Sequence, residues 1–131
     1  MCLTYEKARS IIDEVASKIS ARGKAAVVAV ADAHGELIAL ARMDGAPLSS
    51  ILIAANKAWT AARERKPSAA VGAAARDPIS GFDIGYYGDP RYTGWGGGIP
   101  IVRDGKLIGA IAVSGLPENE DIEMAELGSK I

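Results

Sequence analysis

The chain has 131 residues, 49% of them hydrophobic and 24% charged, with a formal net charge of -1. That length supports a single domain, 1–131, with a real core. Charge so near zero gives no reason to expect nucleic acid or an anionic membrane as partner, and no apolar run approaches the roughly 20 residues needed to cross a bilayer. Met1-Cys2-Leu3-Thr4 leads straight into a helical pattern with no signal peptide visible, so a cytoplasmic protein is expected. Cys2 and His34 are the only cysteine and histidine. An internal disulfide and a structural zinc site are therefore excluded.

Ala8, Ile11, Ile12, Val15, Ala16 and Ile19 recur at the spacing of one helical face, which predicts a helix over 4–22 with Thr4 as N-cap and Gly23 as stop. The apolar run 25–31 reads as a strand buried on both faces. Asp32-Ala33-His34-Gly35 makes a turn, and 36–42 alternates into a second strand. Pro47 or Ser49 opens the next helix, which runs to about Lys66 before Pro67 ends it. Leu48, Ile51, Leu52, Ala55, Trp59 and Ala62 form its main apolar face. The opposite face gathers Ser50, Ile53, Ala54, Lys57, Thr60, Ala61 and Glu64, small and apolar residues around a single lysine. Such a surface wants a neighbour, either a ligand or another subunit.

An alanine-rich short helix over 68–76 and a long loop over 77–93 follow. Five of the seven aromatic residues (Phe82, Tyr86, Tyr87, Tyr92, Trp95) fall between 82 and 95, and a loop of this length in a compact domain is usually functional. The run Gly94-Trp95-Gly96-Gly97-Gly98 then feeds two apolar strands joined by Asp104-Gly105, a strong hairpin signal. Pro117 and the acidic residues Glu118, Glu120 and Asp121 suit the start of a terminal helix. The order helix, hairpin, helix pair, hairpin, helix predicts an α+β fold with a central antiparallel sheet flanked by helices. A dinucleotide fingerprint is ruled out because the glycines lead into a strand.

Several residues carry chemical potential. Lys57, flanked by Ala54, Ala58 and Ala61, is suited to holding a carboxylate or acting as a desolvated base; a solvated side chain, or one paired with Glu64 or Asp44, is the alternative. Gly96, Gly97 and Gly98 could present N–H groups to an anion, or mark a bulge. Ser114 and Gly115, just before the last helix, suit an anion seat or a helix cap. Arg42 could clamp a carboxylate, or pair structurally with Asp44 or a glutamate. Tyr86, Tyr87, Tyr92 and Trp95 could wall an aromatic ligand or anchor a subunit interface. His34, in a turn, is expected to be exposed.

Four segments in order, Asp32–Ala46, Asn56–Ala61, Gly96–Pro100 and Ile108–Gly115, resemble the GlcG/HbpS family, which includes the C-terminal domain of PduO-type proteins. The likeness spans essentially the whole chain. It implies a profilin-like α-β-α fold, homo-oligomers, and in some members haem binding. The Gly-Gly-His turn common in the family is here His34-Gly35-Glu36, which displaces the histidine by two positions. The expected function is small-molecule binding in a catabolic or cofactor pathway, the ligand a small anionic or aromatic metabolite, with haem a candidate. Ligand contacts would come from Arg42, Asp44, Lys57, Ala61, the aromatic loop, the three glycines, Ser114 and Gly115. Two alternatives stand beside it: a cofactor-free lyase, isomerase or hydratase using Lys57 and Tyr87 as acid and base, and a ligand-free assembly protein.

Overall fold

In the computed structural model, which describes residues 2–131, the predicted order of elements is found. Helix α1 (Tyr5–Ala21) is followed by strands β1 (Val27–Asp32) and β2 (Leu37–Arg42), helices α2 (Ser50–Glu64) and α3 (Ser68–Ala75), strands β3 (Gly98–Arg103) and β4 (Lys106–Ser114), and helix α4 (Glu118–Ser129). A single 3-10 turn, Ile84–Tyr87, interrupts the long loop. Thr4 caps α1 by accepting a hydrogen bond from the Lys7 N–H. The β3–β4 turn places Asp104 and Gly105 at φ 52° and 74°, the paired positive dihedrals that two-residue hairpins need.

The four strands form one antiparallel sheet in the order β2-β1-β4-β3. Its two faces differ in side-chain size because successive strand residues point to opposite sides. Val28, Val30, Ile111 and Val113 meet Ile11, Val15 and Ile19 of α1 and Met124 of α4. Val27, Ala29, Ala31, Ala110 and Ala112 meet Ala54, Ala58, Ala61 and Ala62 of α2. One face is thus a bulky aliphatic core and the other a thin layer made almost wholly of alanine.

The alanine face corrects the expected orientation of α2. Leu48 and Leu52, assigned to its main apolar face, are 71% and 68% exposed, and Ile51 is also exposed. Trp59 and Ala62 of that set are buried. The small-residue face turns inward, with Ser50, Ala54, Lys57, Thr60 and Ala61 all buried. The neighbour that this face wanted is the chain's own sheet. An alanine-lined sheet leaves room for a helix backbone and short side chains, and leucines there would overfill the space. Gly98 carries this furthest: a Cβ at that position would collide with the Lys57 carbonyl.

The bulky face sets stability. Ile111 is fully buried among α1 and α4, and Ile111→Ala is expected to destabilise the protein by about 2–5 kcal/mol. Chemical denaturation of the variant and the parent measures this directly.

Candidate functional site

Lys57 points from α2 across the alanine layer and keeps only 2% of its surface exposed. A buried ammonium must find partners. Its Nζ donates to the Val113 carbonyl at 3.0 Å and to Asp121 Oδ2 at 3.2 Å. Asp121, itself 4% exposed, receives the Leu116 N–H on its other oxygen at 3.0 Å. The lysine therefore pairs with neither Glu64 nor Asp44, and its partner comes from the first turn of α4. Burial pulls the Lys57 ammonium below its ordinary 10.5, against the attraction of Asp121. Burial likewise pushes the Asp121 carboxyl above its ordinary 3.8, against the pull of Lys57.

A cavity of about 240 Å³ opens over this pair, lined by Lys57, Asp121, Ser114, Gly115, Glu118 and Trp95 with apolar walls from Ile53 and Leu116. An ammonium carries three donors, so one Lys57 N–H remains beyond the two it gives to Val113 and Asp121. Ser114 Oγ donates to Ser50 Oγ at 3.1 Å, which leaves its lone pairs open to a donor. Ser114 does not cap α4, whose N-cap position is Pro117.

The glycine run serves this site by allowing close approach. Gly97 has φ 126°, and a Cβ there would lie 2.9 Å from Lys57 Nζ. Of the two roles open to the glycines, the anion nest is not formed by its neighbours' N–H groups. Gly96 donates to Glu118 Oε2 at 2.7 Å and Gly98 to Ser68 Oγ at 2.9 Å.

The remaining candidates lie elsewhere. Arg42 shares a cross-sheet row with Val27 and Ser114, two strands and roughly 10 Å away. Arg42 and Asp44 are exposed, line neither this cavity nor the one beside the aromatic loop, and form no salt bridge with one another. Ala61 belongs to the alanine layer. Tyr86 is exposed. Tyr87 stacks on Tyr92 with ring centroids 4.0 Å apart, and Tyr92 meets Trp59 edge-on at 4.8 Å. Tyr92 also donates its phenol to Glu64 at 3.0 Å, and burial with that bond raises its pKa. No tyrosine lines the Lys57 cavity, so Lys57 and Tyr87 are not brought together as an acid–base pair.

Asp121 and Glu118 were legible only as charges suited to a helix start. The signal for Asp121 was nonetheless present, since Asp121, Met124, Ala125 and Gly128 share one buried stripe of α4. An acid on an apolar stripe implies a buried cation opposite it.

The ion pair is opposed by its own desolvation, and the linkage signs follow. Asp121, with a raised folded pKa, contributes most below 3.8 and loses that contribution as pH rises through the folded value. Lys57, with a lowered one, contributes fully above 10.5 and loses that as pH falls through the folded value. Both contributions are therefore smallest at pH values above the folded value of Asp121 and below that of Lys57. Lys57→Met alone is expected to cost about 3–5 kcal/mol by stranding Asp121, while Lys57→Met with Asp121→Leu recovers that loss or exceeds it by about 1–4 kcal/mol. Urea unfolding of the parent and both variants at pH 7 distinguishes these outcomes.

Comparison with known proteins matches this architecture. The family model described as haem degrading protein HbpS-like covers residues 3–130. Protein GlcG of Escherichia coli K12 is 31% identical over 112 residues, covering 86% of this chain and 81% of that protein. The crystal structure of Klebsiella pneumoniae ORFY superposes with a TM-score of 0.88 at 29% identity, over 97% of this chain and 88% of that one. The PduOC:heme complex shares the fold with a TM-score of 0.91 at 24% identity, over 99% and 94% of the two chains. The chain belongs to the HbpS-like family.

Proposed function

We propose that this protein is a small-molecule-binding accessory of the HbpS type, acting in a catabolic or cofactor pathway of the cytoplasm, with its ligand seat over Lys57. The observation that carries this reading is a buried, hydrogen-bonded ammonium lining a cavity of about 240 Å³ with one donor left for a ligand oxygen. Buried charge of this kind costs stability, and clefts are where such cost is tolerated for function.

Charge turns the ligand class away from the small anion expected from the sequence. Lys57 and Asp121 cancel, and Glu118 adds a negative charge at the cavity edge. A neutral hydroxy-carbonyl oxygen therefore suits the seat better than a free carboxylate. Titrating labelled protein with glycolaldehyde and with glycolate, a size-matched neutral and anionic pair, is expected to shift the Gly115 and Ser114 amide resonances saturably, with glycolaldehyde the tighter. Absence of saturable shifts from both compounds would overturn the seat.

Haem is a second reading, supported by the relative solved as a haem complex. The aromatic loop offers ring faces to a planar macrocycle, with Tyr92 and Trp95 beside the Arg76 cation for a propionate. The axial bond finds less. His34 is exposed in the β1–β2 turn, and neither cavity is lined by histidine, cysteine or methionine. Tyr92 keeps its proton in the bond to Glu64. Haemin binding, followed at the Soret band, is thus expected to be unchanged by His34→Ala; loss of the band in that variant would place the iron at the turn instead.

The lyase, isomerase or hydratase alternative retains Lys57 but requires Asp121, rather than a tyrosine, as its proton-transfer partner. Homo-oligomer formation is part of the proposal and is supported by the exposed apolar turn Leu48, Ile51 and Leu52. The same turn supports the ligand-free assembly alternative.

A further inference from the structure

We propose that the groove between α3 and the 82–95 segment is a separate binding site for a one- or two-ring aromatic carboxylate. It encloses about 460 Å³, within the ~300–1,000 Å³ range of small-molecule sites and nearly twice the volume over Lys57. Phe82, Tyr92 and Trp95 supply aromatic walls, Ile84 an aliphatic one, Arg76 the cation and Asp83 a carboxylate on the same rim.

The guanidinium is the groove's unpaired donor for a carboxylate. Arg76 forms no salt bridge among the described residues. Neither nearby carboxylate pairs with it, although Asp83 lines the groove and adds a negative charge, so selection for an acid rests on the donor fork of Arg76 rather than on net charge. Asp77 Oδ1 accepts the N–H groups of Ile79 and Ser80, both at 2.9 Å, and Asp83 Oδ1 accepts that of Gly85 at 2.8 Å. Arginine presents a planar donor fork that matches a carboxylate.

The walls are held in place before any ligand arrives. Thr60 Oγ1 accepts the Thr93 N–H at 3.0 Å and donates to the Arg91 carbonyl at 3.2 Å. Ser68 Oγ donates to the Trp95 carbonyl at 2.7 Å. At the floor the Gly72 and Gly94 backbones touch, and a Cβ at Gly72 would collide with the Gly94 carbonyl. Two buried hydroxyls and a glycine–glycine contact therefore fix a loop whose rings remain open to solvent; Trp95 is 59% exposed. A wall ordered in advance lowers the entropy lost on binding. Trp95 is the single residue common to this groove and the Lys57 cavity, so the two sites can be tested apart.

Calorimetric titration with 1-naphthoate, 1-naphthalenemethanol and cyclohexanecarboxylate tests the assignment. The expected result is one 1-naphthoate per chain, with the neutral alcohol and the non-aromatic acid each at least about tenfold weaker, as loss of a charged hydrogen bond or of ring contact implies. Arg76→Gln, at an exposed position, should bring 1-naphthoate down to the level of the alcohol. No binding of 1-naphthoate overturns the site. Equal binding of acid and alcohol, or an unchanged affinity in Arg76→Gln, overturns the role of the guanidinium and with it the proposal. These readouts do not involve Lys57, so their failure leaves the seat over Lys57 standing and removes only the Arg76 contact of the haem reading, which uses the same groove.

Discussion

The close approach of α2 to the sheet is the constraint on which the rest of the structure depends. Alanine faces alanine across that layer, and Gly98 lets the β3 backbone reach the helix backbone at Lys57. A layer this thin cannot absorb a long side chain except at its edge. Lys57 is the long side chain placed there, and it spans from helix to strand end to reach the carbonyl of Val113. Every polar feature of the candidate site follows from that position. Desolvation demands a counter-charge, which α4 delivers as Asp121; Gly97 clears space around Nζ; and the start of α4 brings Glu118 to the cavity edge.

The energetic character of the site follows from the same geometry. Two opposite charges with almost no exposure cost desolvation on both sides, and their mutual attraction offsets only part of it. The opposed pKa shifts of Lys57 and Asp121 express that residual cost. The bulky aliphatic face, with Ile11, Val15, Ile19 and Ile111 fully buried, supplies the hydrophobic stabilisation that tolerates it. The two faces of one sheet thus divide the labour between holding the fold and presenting chemistry.

A second polar system organises the aromatic loop. Thr60 and Ser68, buried hydroxyls on α2 and α3, bond the backbone of residues 91, 93, 95 and 98. The Arg91 guanidinium lies 4.2 Å from the Trp59 ring centroid, Arg63 lies 4.9 Å from it, and Tyr92 closes its edge. Asp89 holds Arg91 from the other side, and that contact lowers the Asp89 carboxyl to about 2. An irregular segment is in this way tied to α2 and α3 at several points, which suits it to form the wall of a groove.

Local patterning in the sequence determined the elements. Apolar spacing marked α1, the Asp-Gly turn marked the β3–β4 hairpin, and Pro67 and Pro117 marked helix boundaries, because these features act within a few residues of chain. The same patterning singled out Lys57 and the glycine run and placed His34 on the surface. Only the tertiary structure decided which face of α2 turns inward, because hydrophobic periodicity weighs leucine above alanine while the sheet opposite has room for alanine alone. It also decided that Asp121, 64 residues from Lys57 along the chain, is its partner. Arg42 and Tyr87 were plausible companions by residue type, yet the strand order sets one of them two strands away and the stack on Tyr92 holds the other. Pairing across the fold depends on the packing distance between layers, and no local pattern of residues encodes that distance.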